Sequence, residues 1–250
     1  MNYSRDNLLI LDADGTTVDA FAAIDRTFAA HGMAIGDLRR FQSRHHLFKY
    51  LGGLKEFPGN FKRQISKRKR AQLIATLTEV YREEGRLYDG IAGFVEILLD
   101  QKNLRVGVVT RNITDKPIET LKALFRRHGL DANRFDFFIH IPLSQDKIDT
   151  FREVRESYRI NPARGYVCGD EKKDYLAALG TGLHPFMVAY GFESHARLTA
   201  KVGVPPELIA HTPHELAVRV LNGLAIDATA EPRVSVVTNR APLASVAQAS

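Results

Sequence analysis

The chain has 250 residues, with 35 Lys and Arg against 29 Asp and Glu, a formal net charge of +6 with His neutral. That length suits one large domain, or a core domain carrying a smaller one, and the single cysteine, Cys168, excludes an intramolecular disulfide and any zinc or iron-sulfur centre built from cysteines. The 44% hydrophobic content comes in short runs, far from the roughly 18 consecutive apolar residues of a membrane span, and the opening MNYSRDN lacks the layout of a signal peptide. A cytoplasmic protein with no membrane partner is expected. The basic excess invites a nucleic-acid reading, so its location matters.

In chain order, the first element is the run Leu8 to Leu11 in LLILDADGTT, four apolar residues followed by an acidic, glycine-bearing turn. A parallel strand buried on both faces has this form. From Thr17 to Gly90 the apolar residues fall at helical spacing (Phe21, Ile24, Phe28, then Leu73, Ile74, Leu77, Tyr81), with breaks at His31-Gly32, Leu51-Gly52-Gly53 and Pro58-Gly59. This predicts three or more helices inserted after the first strand. From about residue 91, strand-like runs at Arg105 to Asn112, Phe135 to Pro142, Gly165 to Asp174 and His184 to Phe192, with a weaker one at Glu207 to Thr212, alternate with helical stretches. Those stretches are Lys116 to His128, Lys147 to Tyr158, Lys172 to Leu179, Ser194 to Val202 and His214 to Leu221. The alternation predicts an α/β fold with a doubly wound parallel sheet. Ala228 to Ser250 has no amphipathic period and reads as a mobile tail. The expected organisation is a core of residues 1–16 and 91–227, a helical insert of 17–90 and a tail of 228–250.

Ligands of parallel α/β sheets bind beyond the carboxyl ends of the strands, so the residues ending each run converge. They are Asp12, Asp14, Gly15 and Thr16; Thr110, Arg111 and Asn112; Gly169, Asp170 and Asp174; and Lys147 opens the helix after the third strand. Several carboxylates, a hydroxyl and a lysine in one crevice describe a magnesium and phosphate site. A strand-end carboxylate can attack phosphorus and form an aspartyl-phosphate, and a second carboxylate two residues on can protonate the leaving oxygen. Magnesium takes one or two carboxylates with a backbone carbonyl, a phosphate oxygen and waters. Lysine and threonine can balance the phosphoryl oxygens as charge shifts.

The segments LLILDADGTTVDA, VVTRN, Lys147 in SQDKIDTF, and VCGDEKKDYLAALGTG followed by VAYGF resemble, in order and spacing, the four motifs of the haloacid dehalogenase-like hydrolase superfamily. The helical insert resembles the cap of its phosphoglycolate-phosphatase-like branch. The resemblance implies a Rossmann-like core with a helical cap, and a Mg2+-dependent phosphatase with Asp12 as nucleophile and Asp14 as general acid and base. It further implies that Thr110, Arg111 and Lys147 bind the phosphoryl group, and that Asp12, the Asp14 backbone carbonyl, Asp170 and Asp174 surround the metal, Asp174 as ligand or orienting acid. Asp14 favours phosphate over carbon-halogen chemistry, because a halide leaves without a proton. Two departures stand: no proline follows Lys147, which leaves Lys116-Pro117 as a rival lysine, and Glu171 adds a carboxylate beside Asp170. Asp174 also fits an ordinary first-turn helix acid, and Cys168 a small buried hydrophobe. A phosphomutase using the same two aspartates and a non-catalytic binding module are the alternatives.

The charge is localised. Residues 17–90 hold 14 Lys and Arg and 8 Asp and Glu, a net of +6, and the other 176 residues hold 21 of each. The run Lys62 to Arg70 has no interleaved aromatics, which argues against nucleic acid. A small anionic phosphorylated substrate suits a neutral core under a basic insert, with Arg44, Lys49, Gly53 and Lys55 near the mid-insert turn as candidate contacts to its non-reacting end.

Overall fold

A computed structural model describes residues 3–43 and 67–227. A six-stranded parallel sheet, β1 Asn7–Leu11, β2 Leu104–Thr110, β3 Phe137–His140, β4 Gly165–Gly169, β5 His184–Val188 and β6 Ile209–Ala210, runs in the order β3-β2-β1-β4-β5-β6. Every strand run anticipated above is present.

β1 explains why those runs are continuously apolar. Leu8 and Ile10 pack into one core and Leu9 and Leu11 into another, and none of the four exposes any surface. Alternating side chains point to opposite faces, so a strand covered on both sides needs an apolar residue at every position. On the face of Leu9 and Leu11 lie α4 Ile91–Leu99, α5 Pro117–Arg127 and α8 Pro213–Gly223; on the face of Leu8 and Ile10 lie α6 Ile148–Ser157 and α7 Lys172–Thr181. Of these, α4 has no counterpart among the helical stretches read from the sequence. Its buried Ile91, Phe94, Val95 and Leu98 do recur at helical spacing, but almost every other residue of IAGFVEILL is apolar too. Without polar contrast the period hardly shows.

The connection from β1 to α4 carries α1 Ala20–Ala30, α2 Leu38–Ser43 and α3 Lys67–Glu83. The expected break at His31-Gly32 is the end of α1, where Gly32 takes a left-handed φ of 67°. The breaks at Gly52-Gly53 and Pro58-Gly59 lie outside the described residues, as do Arg44, Lys49, Gly53, Lys55 and the tail. Ile24 and Phe28 of α1 and Leu73, Leu77 and Tyr81 of α3 bury into the same cluster as Leu121, Leu124 and Phe125 of α5. The root of the insert therefore shares the core of the sheet. Its two ends run side by side, with Asp19 N donating to Arg86 O at 2.9 Å and Tyr88 N to Thr17 O at 3.1 Å.

Strand order reverses between β1 and β4, the place where a parallel α/β sheet opens a crevice at its carboxyl edge. Leu11 of β1 pairs with Val108 of β2 and Cys168 of β4. Asp12, Thr110 and Asp170 therefore emerge at adjacent strand ends.

Candidate active site

The site is built around Lys147. Its side chain is 1% exposed, and Nζ donates to Asp12 Oδ1 at 2.8 Å and Asp174 Oδ1 at 2.5 Å. Burial disfavours the ammonium, yet the two carboxylates outweigh it and hold the lysine protonated, above its usual range. The rival Lys116 is 64% exposed and pairs with Glu119, 3.7 Å away at the surface. Burial, opposed by Lys147 and reinforced by Asp174 and Asp14, pushes Asp12 up to about 7.

Asp170 is fully buried at the end of β4. Its Oδ2 accepts from Phe192 N at 2.6 Å, while Oδ1 is buried with no hydrogen-bond partner. Burial, then the charges of Glu171, Asp12 and Asp174, push this carboxyl well above the usual range. Two glycines make room for it. A Cβ at Gly15, whose φ is +83°, would sit 2.2 Å from Asp170 Oδ2, and one at Gly191 would sit 2.4 Å from the same atom.

Asp12, Asp170 and Asp174 each offer a carboxylate oxygen, all three within 4.8 Å of one another. Three carboxylates against one ammonium leave a formal charge of −2. A bare buried oxygen in an all-oxygen set fits a hard divalent cation such as Mg2+. Asp174 also satisfies the helix-acid reading, since its Oδ2 accepts from Glu171 N at 3.1 Å in the first turn of α7. Glu171 does not join the three carboxylates. It forms an ion pair with Arg111, whose side chain is 10% exposed and whose Nε is buried without a partner.

Asp14 faces elsewhere. Its Oδ1 accepts from Tyr81 Oη at 2.8 Å, and Asn112 Nδ2 donates to Oδ1 at 3.0 Å and Oδ2 at 2.9 Å. Burial pushes Asp14 up to about 6, with the Asn112 and Tyr81 hydrogen bonds and Lys147 opposing. Thr110 Oγ1 accepts from Asn112 N at 3.1 Å, which leaves its hydroxyl proton to be donated. Cys168 is wholly buried, and burial pushes its thiol up.

Two residues of the site carried no expected role. Tyr81 reads as one more apolar position of α3 and Asn112 as a polar strand end. The available signal was chemical: a buried tyrosine needs a partner for its hydroxyl, and Tyr81 is 1% exposed.

A family model for haloacid dehalogenase-like hydrolases matches residues 9–188, a span holding Asp12, Asp14, Tyr81, Thr110, Arg111, Asn112, Lys147, Asp170, Glu171 and Asp174. A phosphoglycolate phosphatase of Vibrio vulnificus (strain CMCP6) is 21% identical over 222 residues, covering 84% of this chain and 94% of that protein. Among solved structures, a haloacid dehalogenase-like family hydrolase from Streptococcus pneumoniae superposes with a TM-score of 0.59 at 21% identity, covering 86% of this chain and 99% of that one. CbbY from Rhodobacter sphaeroides, solved with phosphate, gives 0.54 at 22% identity, covering 76% and 89%.

Proposed function

Since the chain belongs to the haloacid dehalogenase-like hydrolase family, we propose that it is a Mg2+-dependent phosphatase that hydrolyses a small phosphorylated metabolite through an aspartyl-phosphate. The observation that carries this reading is the Lys147 ammonium set between Asp12 and Asp174, with the unpartnered Asp170 oxygen in the same cluster. A structural ion pair needs neither a third carboxylate nor a buried oxygen left without a hydrogen bond.

In the first half-reaction an Asp12 carboxylate oxygen attacks phosphorus. The bond from phosphorus to the ester oxygen breaks, its electron pair goes to that oxygen, and Asp14 delivers a proton to it, so an alcohol departs. In the second half-reaction the Asp14 carboxylate takes a proton from water as the water oxygen attacks phosphorus. The phosphorus bond to Asp12 breaks, and inorganic phosphate leaves with both aspartates restored. Lys147 favours the ionised form of Asp12 against burial and offsets charge on the phosphoryl oxygens, and Thr110 donates its hydroxyl to one of them. Arg111, beside Asp12 and Asp174, adds positive charge on the same side. Asp12, Asp170 and Asp174, with the Asp14 carbonyl, would hold Mg2+, which when bound supplies charge neutralisation between nucleophile and phosphate.

The segment 17–90 acts as a cap in this reading, and its net of +6 draws anionic substrate toward the crevice. The phosphoglycolate phosphatase relative supports a small phosphate monoester and makes phosphoglycolate the first compound to assay. The test is release of inorganic phosphate from a panel of phosphorylated metabolites, with Mg2+ and with EDTA, by the wild type and by Asp12→Asn. Turnover should require Mg2+ and vanish in the variant. Activity retained by Asp12→Asn would refute the mechanism, and turnover dependent on a bisphosphate activator without net phosphate release would assign a mutase.

A further inference from the structure

We propose that Tyr81 and Asn112 are positioning residues that fix the Asp14 carboxylate for proton transfer, so that the helix returning from the insert sets the aim of the acid. The inference rests on the role of Asp14 proposed above and adds to it two residues outside the four motif segments' acidic and phosphate-binding positions.

Three hydrogen bonds fall on one carboxylate. Asn112 Nδ2 spans both oxygens at 3.0 and 2.9 Å, and Tyr81 Oη reaches Oδ1 at 2.8 Å. The amide cannot be turned over without loss, because Asn112 Oδ1 accepts from Thr114 N at 2.8 Å and from the Thr114 hydroxyl; a flip would set a carbonyl oxygen against the Asp14 carboxylate. The Asn112 backbone is held as well, its N–H by Thr110 Oγ1 and its carbonyl by His140 Nε2 at 3.0 Å. Asn112 is 2% exposed, so this is an interior framework.

Tyr81 is equally anchored. Its carbonyl accepts from Arg127 Nη2 at 3.3 Å, and Arg127 Nη1 also reaches Glu83 O at 2.9 Å, which ties the last turn of α3 to α5. One turn earlier, Thr78 Oγ1 accepts from Asp115 N at 2.8 Å, in the loop that follows Asn112. The end of α3 is thus bolted to the same loop that presents Asn112.

The two partners divide the work by their chemistry. An amide nitrogen only donates, so Asn112 sets the plane of the carboxylate. A phenol donates to a carboxylate and accepts from a carboxylic acid by rotating its own proton. Tyr81 therefore stays bonded when Asp14 carries the proton that the first half-reaction uses and when it does not. A phenylalanine at this position would hold the helix in place and lose only that contact.

The experiment compares kcat/KM for β-glycerophosphate, whose alkoxide leaving group needs a proton, with p-nitrophenyl phosphate, whose phenolate does not. Wild type, Asp14→Asn, Tyr81→Phe and Asn112→Ala are assayed in Mg2+. Asp14→Asn calibrates the gap: a large loss on the alkyl ester with a much smaller one on the aryl ester is the mark of a general acid, worth roughly 10²- to 10⁴-fold. Tyr81→Phe should lose about tenfold or more on the alkyl ester and no more than about threefold on the aryl ester, with Asn112→Ala skewed in the same direction. Parallel losses on both substrates, or none on either, would overturn the positioning role. If Asn112→Ala does not fold, Tyr81→Phe, which removes one oxygen, decides alone. Absence of any gap in Asp14→Asn would instead strike the assignment of the acid itself.

Discussion

Asp170→Asn should make the metal-free protein more stable while destroying its response to Mg2+. The carboxylate is fully buried, takes one backbone N–H on Oδ2 and leaves Oδ1 bare. Two further carboxylates offer oxygens within 4.8 Å. A like-charge pair at that separation costs about 3 kcal/mol at an effective dielectric of 20. The Lys147 ammonium and partial protonation take back a good share, so about 2 kcal/mol of relief is expected at pH 7 to 8. An asparagine keeps the oxygen that Phe192 N needs and turns an amide donor toward the acids. For a chain of this size each kcal/mol moves the midpoint by about 2–4 °C, so in EDTA the variant should melt about 4–8 °C above the wild type. The sign with pH follows from the raised carboxyl of Asp170. A group whose folded pKa exceeds its unfolded value contributes most below the unfolded value, near 4, and that contribution is lost as pH rises. The gap between variant and wild type should therefore close on acidification toward pH 4. Mg2+ at 100 times its dissociation constant should raise wild-type stability by about 2.7 kcal/mol and leave the variant unmoved. Thermal denaturation from pH 4 to 8, in EDTA and in Mg2+, reads all three effects. A variant less stable than wild type in EDTA at pH 7, or one that Mg2+ stabilises equally, would refute the view that this carboxylate is held for a cation.

Lys147→Met should cost more than any single surface change. Removing one partner of a buried charge pair costs about 3–5 kcal/mol, and here two carboxylates, Asp12 and Asp174, lose their shared ammonium. The midpoint should fall by roughly 6–20 °C, phosphatase turnover by at least about 10²-fold, and Lys147→Arg should fail to restore it, since a planar fork does not fit between acids 2.8 and 2.5 Å from one nitrogen. Thermal melts with steady-state kinetics on both variants check this. Raising NaCl from about 0.01 to 0.2 M should lower kcat/KM several-fold while kcat holds, because screening weakens steering by the insert's net of +6. A flat salt profile would return those charges to a solvated surface with no part in capture.

How far the sequence reveals this site depends on which interactions are local. β1 could be read because burial on both faces forces Leu8, Leu9, Ile10 and Leu11 to be apolar in succession, and the polar residues that end such runs must meet at one sheet edge whatever the loops do. Lys147 and Lys116 could be ranked from their places after the third and second strands. That Lys147 bridges two acids is a contact across 135 and 27 residues, which spacing does not show. The pairing of Glu171 with Arg111 crosses 60 residues, and so a carboxylate next to Asp170 in the chain ends on a guanidinium instead of joining the three acids as a possible ligand. Tyr81 is the sharpest case. Helical period assigns it to the apolar face of α3, and its ring does lie in the core, while its hydroxyl ends on Asp14, 67 residues away. Periodicity reports the body of an amphipathic side chain and is blind to its tip. Gly15 and Gly191 make the complementary point: one reads as a turn and the other as a strand end, yet both are small because Asp170 occupies the space their Cβ atoms would need. What binary patterning specifies is the scaffold. The aim of Asp14 and the room around Asp170 come from polar and steric contacts between segments far apart in the chain, which are settled only once that scaffold has closed.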